Sequence, residues 1–276
     1  HRGVVVAADD PSMHSSQNEQ DSRFYGKFAL VPTFEPSTQQ EAYDMVQAAF
    51  DFSEKYRIPV LMRLTTRMAH SRAMVEPREA RSENSLAYPA RTRQWVLMPG
   101  NSRVRYEALL ADYARFEEEA AASPFNRYAD AEDKSLGIIA CGIAYNYLAE
   151  NYPDGCPHPV LKIAQYPLPR DLVRRIAAEC GTLLILEEGQ PVVEEAVRGV
   201  LPNPLAIRGR LTGELPDWLL YHPALDWWSP FQLVFTQEGK YATGASAGFG
   251  NEPANLNYYY EFYEGYKKDP GAEEED

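Results

Sequence analysis

Polar side chains that can bind ligands or move protons are concentrated between Asp9 and Asp21, directly after an apolar run. The run, residues 3–8, is rich in valine and predicts a strand that is buried on both faces. In open α/β sheets ligands bind beyond the carboxyl ends of strands, so the position and the composition of the loop agree. The sequence therefore predicts a ligand-binding loop. A solvated loop whose side chains cap the next helix is the alternative.

Two arginines flank the end of another predicted strand, residues 58–64. Arg63 and Arg67 carry planar guanidinium groups, which hold a carboxylate through two parallel hydrogen bonds. We interpret them as candidate ligands for the carboxylate of a substrate. An ordinary salt bridge is the commoner role of such an arginine and remains the alternative.

Residues 244–248 fit the Gly-x-Ser-x-Gly pattern of serine hydrolases, in which Ser246 is the nucleophile. That pattern requires a strand before it, a helix after it and a histidine later in the chain. Here Asn251 and Pro253 follow the pattern, and the last histidine is His222. A serine hydrolase is therefore the weakest of the functional hypotheses.

Glu187 and Glu188 end one predicted strand and precede a predicted helix. Acidic side chains at that position cap the helix and interact favourably with its dipole, and we favour this role over one at a domain interface. Residues 155–158, GCPH, resemble a fragment of a metal or cluster site but lack a second ligand pair. We interpret them as a proline-containing turn, and the sequence predicts no metal ligands.

The composition excludes several classes of protein. The 276 residues include 27 Lys and Arg against 40 Asp and Glu, and the net charge of −13 repels nucleic-acid phosphates. Hydrophobic residues make up 45% of the chain, which is enough to form globular domains. No apolar run approaches the roughly 20 residues of a membrane span, and three widely spaced cysteines suit a reducing compartment. We expect a cytoplasmic protein that binds neither nucleic acid nor membrane.

The first part of the chain predicts half of a sheet. Its apolar patterns predict strands at residues 3–8, 29–34 and 58–64. A helix begins with a capping box of Ser37 and Gln40 and runs to Tyr56. Because this helix joins two of the strands, parallel order is favoured. A doubly wound sheet commonly has about five or six strands, so we expect the remaining strands to precede His1.

Strands and helices alternate most clearly in residues 135–209. Such alternation predicts a parallel sheet with helices on both faces. We therefore predict an α/β protein with two doubly wound, mostly parallel sheet domains. The predicted parts are a partial first domain at residues 1–95, a helical connector at 96–134, a second α/β domain at 135–211 and an irregular, aromatic C-terminal extension at 212–276.

Residues 5–23, VVAADDPSMHSSQNEQDSR, resemble the signature of the α subunit of indolepyruvate ferredoxin oxidoreductase, a member of the thiamine diphosphate-dependent 2-oxoacid oxidoreductases. The resemblance continues in RLTTR at residues 63–67 and HSR at residues 70–72. Further matches are YPLP at residues 166–169 and LEE at residues 186–188, so that about residues 3–215 are covered. The resemblance implies a pyrimidine-binding-like first domain and a second domain like the C-terminal domain of transketolase.

The same resemblance implies oxidative decarboxylation of an arylpyruvate, with coenzyme A taking the acyl group and electrons passing through iron–sulfur clusters to ferredoxin. Thiamine diphosphate with Mg²⁺ supplies the chemistry in such enzymes. The implied partners are the 2-oxoacid, coenzyme A, ferredoxin and other subunits. The activating acidic residue is expected before His1, and no magnesium or cluster ligands are recognisable. We therefore expect this chain to be inactive on its own.

Individual roles follow from the matching loop. The resemblance implies that His14 acts as the catalytic residue and that Arg63 and Arg67 bind the substrate; a loop histidine bonded to the backbone is the alternative for His14. The implied contacts of the cofactor are Ser15, Ser16, Gln17, Asn18 and Asp21. A different hypothesis is a non-catalytic assembly subunit, in which the aromatic extension docks a partner.

Overall fold

The computed structural model of the chain describes residues 3–14, 16–82, 96, 98–201, 205–209, 211–212, 233–235 and 241–243. The chain divides into two compact units, His1–Leu220 and Tyr221–Asp276. In the second unit the described residues form strands β10 (Leu233–Phe235) and β11 (Tyr241–Thr243), which pair antiparallel. Ser246 and most of the aromatic extension lie outside the described residues.

The first unit alternates strands and helices. Its strands are β1 (Gly3–Asp9), β2 (Thr33–Phe34), β3 (Pro59–Thr65), β4 (Arg127–Ala129), β5 (Gly137–Cys141), β6 (Val160–Ile163), β7 (Gln165–Tyr166), β8 (Thr182–Leu186) and β9 (Ala206–Arg208). Its helices are α1 (Arg23–Ala29), α2 (Gln39–Tyr56), α3 (Thr66–His70), α4 (Pro99–Ala121), α5 (Ile143–Asn151), α6 (Arg170–Glu179) and α7 (Val192–Val200). None of the described helices combines the length and the apolar character of a membrane-spanning segment.

The first sheet has the strand order β1-β3-β2-β7. Strands β1 and β2 both pair parallel with β3, which confirms the parallel order predicted from the crossover helix. Strand β7 comes from much later in the chain and pairs antiparallel with β2. The predicted strand at residues 29–34 is only β2, because α1 extends to Ala29 and Leu30 ends it in a left-handed conformation.

The prediction that residues 3–8 are buried on both faces is wrong. Strand β1 is an edge strand of the described sheet, paired with β3 on one side. Val5 and Val6 point to opposite faces and are 55% and 57% exposed. An edge strand loses the cover that a neighbouring strand and its crossover helix would give, so its apolar side chains stay open on both faces.

Helix α2 begins one residue later than the predicted capping box. Thr38 is the N-cap, and its hydroxyl accepts a hydrogen bond from the backbone N–H of Glu41 at 3.2 Å. The Glu41 carboxylate in turn accepts from the backbone N–H and the hydroxyl of Ser37, each at 2.7 Å. The buried face of α2, with Met45 and Ala49, packs against the first sheet.

The second sheet has the order β4-β6-β5-β8-β9. Strands β6, β5, β8 and β9 pair parallel, as the alternation predicts, while β4 pairs antiparallel with β6 at one edge. Strand β4 lies within the segment predicted to be a helical connector. Side chains of the parallel strands form a core with α6 and α7, including Ile139, Leu161 and Val173. The fold is therefore α/β, with two mostly parallel sheets.

Candidate functional site

Asp9 and Asp10 at the end of β1 fix the conformation of the loop that follows. The Asp10 carboxylate accepts hydrogen bonds from the backbone N–H of Ser16 at 2.6 Å and from the Thr66 hydroxyl at 2.5 Å. The Asp9 carboxylate accepts from the backbone N–H of Ser22 at 2.6 Å. The two buried aspartates thus hold the loop at both ends, and Asp10 also joins it to α3.

Asp21 and Arg23 bind the end of the loop to the second sheet. Arg23 is 3% exposed and donates to the Glu187 carboxylate at 2.7 Å and to the backbone oxygen of Glu188 at 2.9 Å. The Asp21 carboxylate accepts from Arg23 and from the backbone N–H of Gln190 at 2.9 Å. The loop therefore lies where the carboxyl ends of β1 and β8 meet.

Arg63 lies at the centre of this junction and is 1% exposed. Its Nε donates to Asp9 at 2.6 Å, its Nη1 donates to Glu35, and its Nη2 donates to the backbone oxygen of Glu188 at 3.2 Å. Burial opposes its charge, but Glu35 and the neighbouring aspartates raise the pKa of Arg63, so it stays protonated. All three nitrogens already have acceptors, so a substrate carboxylate would have to replace one of them.

Arg67 has a different environment at the start of α3. Its Nε lies 3.3 Å from Oε1 of Glu188, but Nε and Nη2 make no hydrogen bond. Its guanidinium lies over the ring of Tyr147 in α5, 5.7 Å from the ring centroid. The side chain keeps 18% of its surface exposed. Of the two predicted arginines, Arg67 is the one with donors to offer to a ligand.

His14 is half-buried in the middle of the loop, and its Nε2 is buried without a hydrogen-bond partner. Burial and the positive charge of Arg67 lower the pKa of His14, while Asp10 raises it. The predicted catalytic histidine and a predicted substrate arginine are therefore close enough to interact. A neutral imidazole with an unpaired nitrogen can donate to or accept from a bound ligand.

The remaining predicted contacts divide into three groups. Ser16 is partly buried with its N–H bound to Asp10, whereas Gln17 and Asn18 are exposed at the tip of the loop. Asp21 is occupied by Arg23. Ser15 lies outside the described residues. The side chains of Gln17 and Asn18 are thus accessible to a ligand, whereas Ser16 and Asp21 make contacts within the protein.

Glu187 and Glu188 have different roles, although both were predicted to cap a helix. The Glu187 carboxylate accepts from the backbone N–H groups of Val193 and Glu194 at 3.0 and 2.9 Å, so the capping of α7 is confirmed for it. Its pair with Arg23 adds a contact between the sheets. Glu188 instead turns its carboxyl towards Arg67. No signal in the sequence indicated this contact of Glu188.

The described residues do not fit a metal-bound diphosphate or an iron–sulfur cluster. Over the part of the chain with described positions, no group of three or more His, Cys, Asp and Glu side chains has the arrangement of a metal site. Cys141 is buried in the core, and burial raises the pKa of its thiol well above the usual range.

Asp21 makes the stability of the junction dependent on pH. Burial opposes its ionisation, but the charge and hydrogen bond of Arg23 lower the pKa of Asp21 to about 2. An aspartate with a lowered folded-state pKa stabilises the fold above its unfolded value of 3.8, and this contribution is lost as the pH falls towards 2. We expect the advantage of the wild type over Asp21→Asn in urea unfolding to shrink by about 2 kcal/mol between pH 4 and pH 2.

The control for that measurement is Asp171→Asn, because the Asp171 side chain is 85% exposed and pairs with Arg174 one turn along the same helix. Its effect on unfolding should be small throughout this range. An Asp21→Asn difference that stays constant from pH 4 to pH 2 would contradict the role given to Arg23.

Comparisons with known proteins identify relatives of this chain by sequence. No protein-family model matches the chain. The chain is 40% identical to the indolepyruvate oxidoreductase subunit IorA of Methanothermobacter marburgensis over 221 residues, which are 78% of this chain and 36% of that protein. It is 41% identical to the same subunit of Pyrococcus abyssi over 206 residues, 71% of this chain and 32% of that protein. The chain spans about a third of the length of the curated relatives it matches.

Solved structures match more loosely. A split gene transketolase, an inactive beta4 tetramer, has a TM-score of 0.40 and 17% identity over 75% of this chain and 56% of that chain. A 2-oxoglutarate:ferredoxin oxidoreductase from Magnetococcus marinus has a TM-score of 0.45 and 10% identity over 72% of this chain and 40% of that chain. Similarity at this level supports no conclusion about function.

Two mostly parallel sheets, with a polar loop at the carboxyl ends of their strands, define an α/β protein. Over about three quarters of its length the chain is homologous to one part of the indolepyruvate oxidoreductase subunits. The resemblance recognised in the signature loop is thereby confirmed.

Proposed function

We propose that this chain is part of a thiamine diphosphate-dependent oxidoreductase that decarboxylates an arylpyruvate, indolepyruvate, releasing carbon dioxide, transferring the acyl group to coenzyme A and passing two electrons to ferredoxin. The observation that carries the proposal is the position of the signature loop, which brings His14 to Arg67 at the junction of the two sheets. Homology to the indolepyruvate oxidoreductase subunits supports the same reaction class.

In this proposal Arg67 binds the carboxylate of the 2-oxoacid. Its Nε and Nη2 have no hydrogen-bond acceptor, and a carboxylate is the group that such a fork holds best. In the same proposal His14 bonds to the oxygen atoms next to the reacting carbon, which is supported by the absence of a hydrogen-bond partner at its Nε2. Ser16, Gln17 and Asn18 are proposed contacts of the cofactor, as is Ser15.

The metal-bound diphosphate and the clusters belong, in this proposal, to other polypeptide of the complex. The described residues hold no arrangement of ligands that suits them. We therefore expect the chain by itself to have no oxidoreductase activity. A cytoplasmic location and an assembly with further subunits, coenzyme A and ferredoxin complete the proposal.

The test is an assay of the protein with its partner chains, with indolepyruvate, coenzyme A and an electron acceptor. We expect reduction of the acceptor that depends on indolepyruvate, and a decrease in kcat/KM of about tenfold to hundredfold for Arg67→Met, because a charge-assisted pair to the substrate is lost. The matched control is Arg78→Met, since Arg78 is half exposed and pairs with Asp44.

The control variant should keep the activity of the wild type, because exposed ion pairs contribute little. Absence of any indolepyruvate-dependent reduction would reject the proposed reaction. Equal activities of Arg67→Met and the wild type would reject the proposed carboxylate site.

A non-catalytic assembly role is the second candidate, and one observation favours it. Phe28 and Tyr25 of α1 are 90% and 73% exposed, and Val5 and Val6 of the edge strand are also open. Apolar surface of this kind commonly contacts a partner. Normal assembly of a complex that binds no thiamine diphosphate in calorimetry would favour this candidate over the enzyme.

A further inference from the structure

Glu188 has the least satisfied carboxyl group at the junction of the two sheets. It is the second residue after β8, is 2% exposed, and places Oε1 3.3 Å from Nε of Arg67. Its other oxygen, Oε2, is buried and makes no hydrogen bond. A buried carboxylate oxygen without a donor is costly, so such a group in a native fold requires an explanation.

Arg67 has the matching property. Its Nε and Nη2 make no hydrogen bond, even though the Glu188 carboxyl lies at ion-pair distance. The two side chains therefore attract each other by charge without forming the paired hydrogen bonds that Arg and a carboxylate make in a closed salt bridge. A guanidinium held in this way keeps its directional donors for another acceptor.

The surroundings of Glu188 act on its ionisation in opposite directions, and burial is the largest influence. Burial raises the pKa of the Glu188 carboxyl, while the charges of Arg67 and Arg63 and the nearby Thr65 hydroxyl lower it. Glu35 adds a negative charge that raises it. The groups that face Glu188 are Arg63, Thr65 and Arg67 from β3 and α3, Glu35 from the segment after β2, Tyr147 from α5, and Arg23 from α1, which donates to its backbone oxygen.

We propose that Glu188 is a specificity-determining residue that regulates how strongly Arg67 binds an anionic aryl carboxylate. When Glu188 is ionised, its charge offsets that of the Arg67 guanidinium and repels an anionic ligand. When Glu188 is protonated, the positive charge of Arg67 attracts the ligand without that opposition. The inference rests on the proposed function, because it assigns Arg67 the carboxylate of the substrate. It adds a residue of the second sheet to a site otherwise built from the first.

The inference predicts the direction of a pH effect. As the pH rises, Glu188 loses its proton and the affinity for an anion falls. His14 changes the affinity in the same direction, because it loses a positive charge as the pH rises. The two residues differ at high pH: removing the charge of Glu188 tightens binding, whereas removing His14 does not.

The experiment measures binding of indole-3-acetate to the protein with its partner chains by calorimetry, from pH 5 to pH 8. We expect the wild type to bind more weakly at pH 8 than at pH 5. Glu188→Gln, which keeps the shape of the side chain, should bind about tenfold more tightly than the wild type at pH 8. His14→Ala should still weaken with rising pH, because Glu188 is intact.

Glu119→Gln is the control for the loss of a carboxylate, since Glu119 is exposed, pairs with Lys55 and belongs to α4. It should bind the probe as the wild type does at every pH. Equal affinities of Glu188→Gln and the wild type at pH 8 would overturn the inference and leave the Arg67 site standing. Unchanged binding by Arg67→Met would instead overturn the proposed carboxylate site and this inference with it. If Glu188→Gln does not fold, the test is the pH dependence of probe affinity in the wild type and in His14→Ala. An affinity that does not change with pH in either protein would also overturn the inference.

Discussion

Replacing Arg63 with methionine is expected to destabilise the fold by about 3–5 kcal/mol. Arg63 is 1% exposed and bonds to the carboxylates of Asp9 and Glu35. Methionine fills much of the volume but leaves both carboxylates buried without their cation. A buried charge without a partner destabilises the fold by more than the intact ion pair stabilises it. Removal of one partner therefore has a large effect on the free energy of unfolding.

Urea unfolding of the wild type, Arg63→Met and Arg81→Met measures this effect. Arg81 pairs with Asp51, and both side chains are 56% exposed, so the same substitution there should cost less than about 1 kcal/mol. The double variant Arg63→Met with Glu35→Gln should recover part of the loss, because one unpaired charge is removed with the arginine. Equal unfolding midpoints for Arg63→Met and Arg81→Met would show that the buried network does not stabilise the junction.

The alternation of elements was predictable from the sequence, because apolar periodicity directly reports which faces are buried. It was sufficient for the parallel pairing of β1, β2 and β3 and for the four parallel strands of the second sheet, but not for the antiparallel strand β4. The same patterns could not predict that β7 pairs with β2, because a two-residue strand has no period of its own. Nor could they show that Val5 and Val6 are open, since an apolar run does not reveal which strands lie beside it.

The signature loop was recognisable from its polar composition and its resemblance to a family, but the different roles of the two arginines at the end of β3 and the start of α3 were not. Arg63 and Arg67 are four residues apart, and only the three-dimensional positions of Glu35 and Asp9 distinguish a buried structural arginine from one with free donors. Glu188 is distant in sequence from both. Its role depends on the contact between two sheets, which no local pattern encodes.

Gly142→Ala is the second substitution with a large expected effect, about 3–5 kcal/mol of destabilisation. Gly142 lies between β5 and α5 with φ +50°, a conformation that residues with a Cβ rarely adopt. An added Cβ would lie 2.5 Å from Cγ and 2.7 Å from Oε1 of Glu35. Glu35 cannot move away freely, because its two oxygens accept from Arg63 and from the Tyr166 hydroxyl.

Gly155→Ala separates the two causes. Gly155 also has a positive φ, +104°, but nothing lies within 4 Å of an added Cβ. That variant should lose only the energy of backbone strain, about 1–2 kcal/mol, whereas Gly142→Ala adds the collision with Glu35. Thermal or urea unfolding of both variants measures the difference. Equal destabilisation by the two substitutions would mean that the Glu35 side chain can move away from an added Cβ. The contacts of Glu35 with Arg63 and Tyr166 would then not form the rigid junction described above.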